Sequence, residues 1–264
     1  MKKWLNILFW TVFSILVVLV FGFASKQQKM MLLNVPTINL EVQDEIVMLT
    51  NDELLSNIKV AGYFYDSMSK IDLNVQETEA YIRSLNEVQD ADVFVNLNGN
   101  WVINAKLKRP LVRVVNDYGS DFYIDNRGGV MLISSYAKPR VLPVTNMSAI
   151  LGPNFNIKEV INNDSLKTIL KLDQIYRISK YVCSSVFYDA QIVQIHFSPQ
   201  DGFILIPRVG KQKIIFGMAE SDEAVAKKFE KLTTFYEEVI PYEGWDTYKL
   251  VNLKFENQIV AQKK

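Results

Sequence analysis

The pattern of hydrophobic and polar positions opens with one unbroken apolar block. Trp4 to Phe23 carries no formal charge over 20 residues, and fourteen of them are Leu, Ile, Val or Phe. At about 1.5 Å per helical residue such a block spans roughly 30 Å, the hydrocarbon thickness of a bilayer. Fourteen large apolar side chains, at about −0.3 to −0.6 kcal/mol each, outweigh the polar Asn6, Thr11 and Ser14 by several kcal/mol. The block therefore predicts a transmembrane helix over 4–23, with a short tail (1–3) before it. A polar tether (24–36) ending in Pro36 follows. A cleaved signal peptide is the alternative, since Gly22 and Ala24 offer small residues at the −3 and −1 positions. The block exceeds the 7 to 15 apolar residues of a usual signal peptide, which favours an anchor. Lys2 and Lys3 before the block balance Lys26 and Lys29 after it, so charge leaves the orientation undecided.

Beyond residue 36 the period of the pattern changes repeatedly. Ile38, Leu40 and Val42 alternate with polar residues as in a half-buried strand. Thr50 and Glu53 form a capping box ahead of Leu54, Leu55 and Ile58, with Gly62 as the stop. Asn74 and Glu77 open a second helix, in which Tyr81, Ile82, Leu85 and Val88 recur at helical spacing. Asp92 to Lys108 reads as a hairpin around Asn98 and Gly99. A two-residue loop would set Val93 opposite Asn104. A three-residue loop, Leu97 to Gly99 with Gly99 at positive φ, sets Val93 opposite Ile103 and Val95 opposite Trp101, and keeps one face apolar. The order strand, helix, helix, strand, strand over 37–109 describes a small α+β unit.

A second, β-rich unit is expected over 110–258, with a tail at 259–264. Strand signals fall at Val112 to Val115, Phe122 to Asp125 and Val130 to Ser134, the last two joined by the turn residues Asn126 to Gly129. Residues 146–163 are rich in Asn and Pro. Ser165 to Val182 and Asp222 to Val239 read as amphipathic helices, with strands near Ile192 to Phe197, Phe203 to Pro207 and Lys213 to Phe216 between them. The terminal strand, Tyr248 to Phe255, places Val251, Leu253 and Phe255 on one face and Tyr248, Leu250, Asn252 and Lys254 on the other. As an edge strand it would expose backbone groups to an incoming chain, with Tyr248 as the anchor and Lys254 as a guard against aggregation in the alternative reading.

Composition narrows the chemistry. The 29 basic residues balance the 29 acidic ones, and without the four lysines of residues 1–29 the remainder is 25 against 29, a net −4. Such a charge gives no reason to expect nucleic acid. One cysteine, Cys183, excludes an internal disulfide, and one histidine, His196, leaves the usual zinc clusters unfilled. Cys183 with His196 is the one conceivable nucleophile and base, yet a helix end and an alternating strand account for both. Asp121 and Asp125 lie on one side of a strand but roughly 13 Å apart, too far for paired-carboxylate chemistry. Asp125 to Gly129 reads as a hairpin turn rather than a phosphate loop, because no Lys-Ser/Thr follows. Arg109 and Arg113 suit surface pairing. No cofactor, metal or small-molecule substrate is expected.

Several stretches resemble the bacterial FtsQ/DivIB cell-division family. Phe122-Tyr123-Ile124-Asp125 followed by Gly128 or Gly129 resembles its Tyr-Ile-Asp turn, and Lys108-Arg109-Pro110-Leu111-Val112-Arg113-Val114 its Arg-x-Pro junction. Val141-Leu142-Pro143-Val144 fits the next strand and Tyr248 to Gln258 the terminal one. The resemblance implies a bitopic inner-membrane protein of the septum, with a POTRA (polypeptide-transport-associated) domain and a β domain outside the cytoplasmic membrane. It further implies a non-enzymatic divisome scaffold that binds FtsB and FtsL or their counterparts. The three-residue tail leaves no room for a cytoplasmic partner, and Ile38 to Val42 lacks the glycine often found in the family's first strand. The rival reading is a POTRA-bearing envelope transport or outer-membrane assembly factor, although such factors usually carry repeated units or a large barrel.

Overall fold

In the computed structural model, which describes residues 2–43, 46–116, 121–133, 137–147 and 163–264, the apolar block forms helix α1 (Lys2–Lys29). The helix runs six residues past the expected end at Phe23, because Ala24 to Lys29 contains no breaker. Phe9, Trp10, Leu19 and Phe21 all lie open on its surface. By length and composition, Phe9–Lys29 suffices to cross a membrane. The expected tether does not behave as a free linker either. Leu33 is buried, its N–H donates to the Met68 carbonyl at 2.8 Å, and Asn34 accepts the Trp101 indole N–H at 2.7 Å.

The chain divides into two compact units, Met1–Lys108 and Arg109–Lys264. In the first, strand β1 (Thr37–Glu41) is followed by helices α2 (Asn51–Val60) and α3 (Val75–Ser84) and the hairpin β2 (Val88–Val95) and β3 (Trp101–Leu107). The sheet order is β1-β3-β2, with β1 parallel to β3, a pairing that needs the crossover the two helices supply. Helix α2 starts where the capping box places it: Thr50 accepts from the Glu53 N–H, and the Glu53 carboxylate accepts from the Thr50 N–H at 2.7 Å. It ends in a Schellman turn, with Gly62 at φ 81° and the Tyr63 N–H on the Ile58 carbonyl. The hairpin takes the three-residue loop, pairing Val93 with Ile103 and Val95 with Trp101, and Gly99 has φ 79°. Val88 differs from expectation. Helix α3 stops at Ser84, and Val88 begins β2, where a bulge between Val88 and Asp90 lets both Val88 and Ala91 face the core.

The second unit holds a nine-stranded mixed sheet among the described residues. Its strands are β4 (Pro110–Val114), β5 (Phe122–Asp125), β6 (Val130–Leu132), β7 (Leu142–Thr145), β8 (Ile192–Ser198), β9 (Gly202–Pro207), β10 (Lys213–Gly217), β11 (Tyr248–Asn252) and β12 (Val260–Lys263). They run in the order β12-β11-β10-β9-β8-β7-β4-β5-β6. The expected strand end at Ser134, and most of the Asn/Pro-rich stretch, lie outside the described residues. The first amphipathic segment splits into α4 (Asp164–Ile169) and α5 (Leu172–Ser184). Lys171 between them adopts φ 59°, and the break lets Leu170 and Leu172 both be buried; in one unbroken helix they would point about 200° apart. Ser185 then caps a short helix α6 (Val186–Gln191) that periodicity alone does not reveal. Helix α7 (Asp222–Thr234), capped by Ser221, passes into a π-helical turn (Phe235–Val239) and α8 (Ile240–Glu243). Ile175, Ile178, Val225 and Phe229 from these helices join Val114, Ile195, Leu205, Ile214, Phe216 and Val251 from the sheet in one core.

Candidate partner-docking edge

The end of the sheet is where the sequence expectation and the structure part. β11 is an interior strand, parallel to β10 on one side and antiparallel to β12 on the other. The expected tail at 259–264 contains the true edge. The Lys264 N–H donates to the Thr247 carbonyl, so alternation turns the Gln262 and Val260 amides inward and those of Ala261 and Lys263 outward. Among the described residues no strand pairs with the outward edge of β12, which therefore presents the open backbone groups that the sequence predicts for Tyr248–Phe255.

Tyr248 is also not a surface anchor. It is 8% exposed and packs edge-on against Phe235 at 5.3 Å, with the Lys263 ammonium 5.7 Å from its ring centre. The cause is a bulge between Tyr248 and Leu250, which resets the alternation so that Tyr248 and Val251 both turn inward. Val251 and Leu253 lie in the core, as their spacing indicates. Phe255, expected beside them, is exposed because the strand ends at Asn252. Leu250 and Asn252 are half-buried, and the Asn252 side chain accepts from the Lys254 N–H at 2.9 Å. Lys254 is paired with Asp201 at 3.2 Å and guards no edge.

Two groups of contacts hold this end together. Lys231 on α7 donates to the carbonyls of Leu253 at 3.0 Å and Phe255 at 2.6 Å, fixing the turn between β11 and β12. Burial lowers the pKa of its ammonium, opposed by the nearby Glu256. Lys263 reaches Glu243 at 2.7 Å, and that hydrogen bond raises its pKa; Lys264 lies 3.7 Å from Asp246. The edge lysines are thus drawn toward the chain's own carboxylates.

The comparison with known sequences follows this geometry. Residues 109–262, more than half of the chain and nearly all of the second unit, match the family described as FtsQ/DivIB, C-terminal related. The chain belongs to the FtsQ/DivIB family. No curated protein matches it. FtsQ/DivIB proteins are non-enzymatic cell-division proteins, which connects this chain to cell division.

The remaining candidate residues of this FtsQ/DivIB chain have structural partners. Cys183 Sγ lies 3.9 Å from the Leu111 carbonyl on β4, while His196 Nδ1 on β8 lies 3.1 Å from Thr145 Oγ1 on the intervening β7. Burial pushes the Cys183 thiol up to about 11, with Asp189 adding repulsion and Arg109 opposing it. That thiol is protonated at neutral pH, and the hydrogen-bonded Asp189 carboxylate beside it raises its pKa further instead of activating it. Asp121 holds Arg113 at 2.6 Å and accepts the Asn116 N–H. Asp125 accepts the N–H groups of Arg127 and Gly129, which shapes the turn read from the sequence. No group of three His, Cys, Asp or Glu able to hold a metal occurs among the described residues.

Proposed function

We propose that this chain is a single-pass divisome scaffold whose residues 30–264 lie outside the cytoplasmic membrane at the septum. In this reading the first unit is of POTRA type, supported by its β-α-α-β-β order. The second unit docks FtsB/FtsL-type partners and so links early and late division proteins. The observation that carries the docking step is the edge of β12, open among the described residues, at the end of a nine-stranded sheet in the family-matched unit. A partner strand laid along it satisfies the outward N–H and C=O groups of Ala261 and Lys263, while Leu250, Asn252 and Phe255 flank it with side-chain contacts. Tyr248, Val251 and Leu253 hold the strand from beneath, and Lys254 anchors the turn.

The test is retention of FtsB/FtsL counterparts on the full-length chain carrying Ala261→Pro. Proline removes one outward N–H and leaves the inward β11 ladder its donors. Partner retention should fall at least tenfold with the fold intact. Unchanged retention by a folded Ala261→Pro chain refutes docking by β-augmentation at this edge.

A further inference from the structure

The first unit carries an exposed apolar collar where α1 ends. Met30 is 61% exposed, Leu32 59%, Ile71 64% and Leu97 74%. These residues come from three places in the sequence, and backbone contacts gather them. The Ile71 N–H donates to the Lys29 carbonyl at 3.0 Å, and the Lys70 N–H to the Met31 carbonyl at 2.8 Å. Lys70 Nζ reaches the Asn96 carbonyl at 3.1 Å, beside the hairpin loop that holds Leu97. Gly99 closes the loop against the helix exit: an added Cβ would lie 2.7 Å from the Leu32 carbonyl oxygen and 3.2 Å from Met31 Sδ. The collar and the end of α1 are therefore one connected piece of structure.

The length of α1 fixes what this piece meets. Twenty-eight residues at about 1.5 Å each give roughly 42 Å, the thickness of a bilayer including its headgroup layers. With α1 across the membrane, Lys29 lies at the far surface and the collar rests directly on it. Lys26 and Lys29 are exposed on the last turns of α1 next to Met30, a mixture that suits the headgroup boundary, where apolar stems dip and ammonium groups meet phosphate. We propose that Met30, Leu32, Ile71 and Leu97 form a membrane-seating surface that holds the first unit against the bilayer its own helix crosses. This goes beyond partner docking, since it involves the opposite end of the chain and a lipid surface. It makes the anchor an orienting element and not only a tether.

The test uses the full-length chain with Cys183→Ala, reconstituted in phosphatidylcholine/phosphatidylglycerol nanodiscs. Single cysteines at Ile71→Cys, Leu97→Cys and Ser84→Cys carry an environment-sensitive fluorophore. Ser84 is exposed at the end of α3, before β2 and at the end of the hairpin away from the loop; β2 alone, Val88 to Val95, spans about 24 Å. Lipid spin-labelled near the headgroup should quench positions 71 and 97 at least twofold more than position 84. If either folded variant is quenched no more than Ser84→Cys, the collar does not sit on the bilayer. Should Leu97→Cys fail to fold, Met30→Cys replaces it under the same criterion.

Discussion

Replacing Tyr248 with Ala separates a core role from an interface role. The ring is 8% exposed, belongs to the main core of the second unit and meets Phe235 edge-on at 5.3 Å. Truncating a buried aromatic side chain to Ala typically costs about 3 to 5 kcal/mol, and an aromatic pair adds about 0.5 to 1.5 kcal/mol beyond the area it covers. The ring lies at the rim of the sheet, where the surroundings can close in, so the low end, about 3 kcal/mol, is expected. At 1.4 kcal/mol per tenfold this speeds globally limited amide exchange by over a hundredfold. Hydrogen exchange on the full-length chain, followed at the amides of β9 and β10, measures it. Tyr248→Phe retains the ring and should stay within about 1 kcal/mol of the parent. The reasoning fails if Tyr248→Ala leaves those amides within tenfold of the parent while partner binding drops, for then the ring would be acting on the surface.

Two further perturbations test other parts of the second unit. Cys183 is held up to about 11 from its usual 9.0, so the unfolded thiol ionises first as pH rises. Its contribution is complete below about pH 9 and lost by about pH 11; after allowance for partial exposure this is about 2 kcal/mol. Thermal unfolding from pH 8.5 to 11.5 should show a shallower alkaline decline for Cys183→Ala, and parallel curves would contradict the burial argument. Lys231→Met keeps the aliphatic stem but removes the donors to Leu253 and Phe255, and should loosen residues 253–263 by about 1 to 2 kcal/mol. Unaltered exchange at Val260 to Lys263 would show that β12 is held without that lysine.

What was legible in the sequence was local. Thr50 with Glu53 and Gly62 mark both ends of α2 because caps and left-handed stops act within four residues. The hairpin register followed from one glycine and one apolar face, again a matter of neighbours. The misassignments share a different origin. Val88 fits a helical period and a bulged strand equally well, and only packing on β3 selects the strand. Leu170 and Leu172 read as one helix until the core requires both. β12 has a single large apolar residue in the strand, Val260, because an edge strand is held by backbone pairing, which leaves little trace in side-chain pattern. Missing β12 placed the edge on β11, and the bulge after Tyr248 then hid that this side chain points inward. The sequence pattern thus puts the sheet edge one strand too early, on β11 instead of β12.

That displacement of one strand changes what docking would do to the protein. β11 is parallel to β10, so α7, the π-helical turn and α8 must carry the chain back across the sheet before β11 begins. Everything beyond Leu253 is then added to a core already closed by Val251 and Leu253. β12 depends on its ladder to β11, on Lys231 at the turn and on the ion pairs of Lys263 and Lys264 at its end. Of its four residues only Ala261 is less than fully exposed in character, so little apolar burial fixes it. An edge strand of this kind is the part of the sheet that opens most easily. A partner strand that pairs only with the closed form would stabilise it by mass action, by about 2.7 kcal/mol at a hundred times its dissociation constant. Protection of the Val260 to Lys263 amides should therefore rise with partner concentration while that of β9 barely changes, because β9 is already held by strands on both sides.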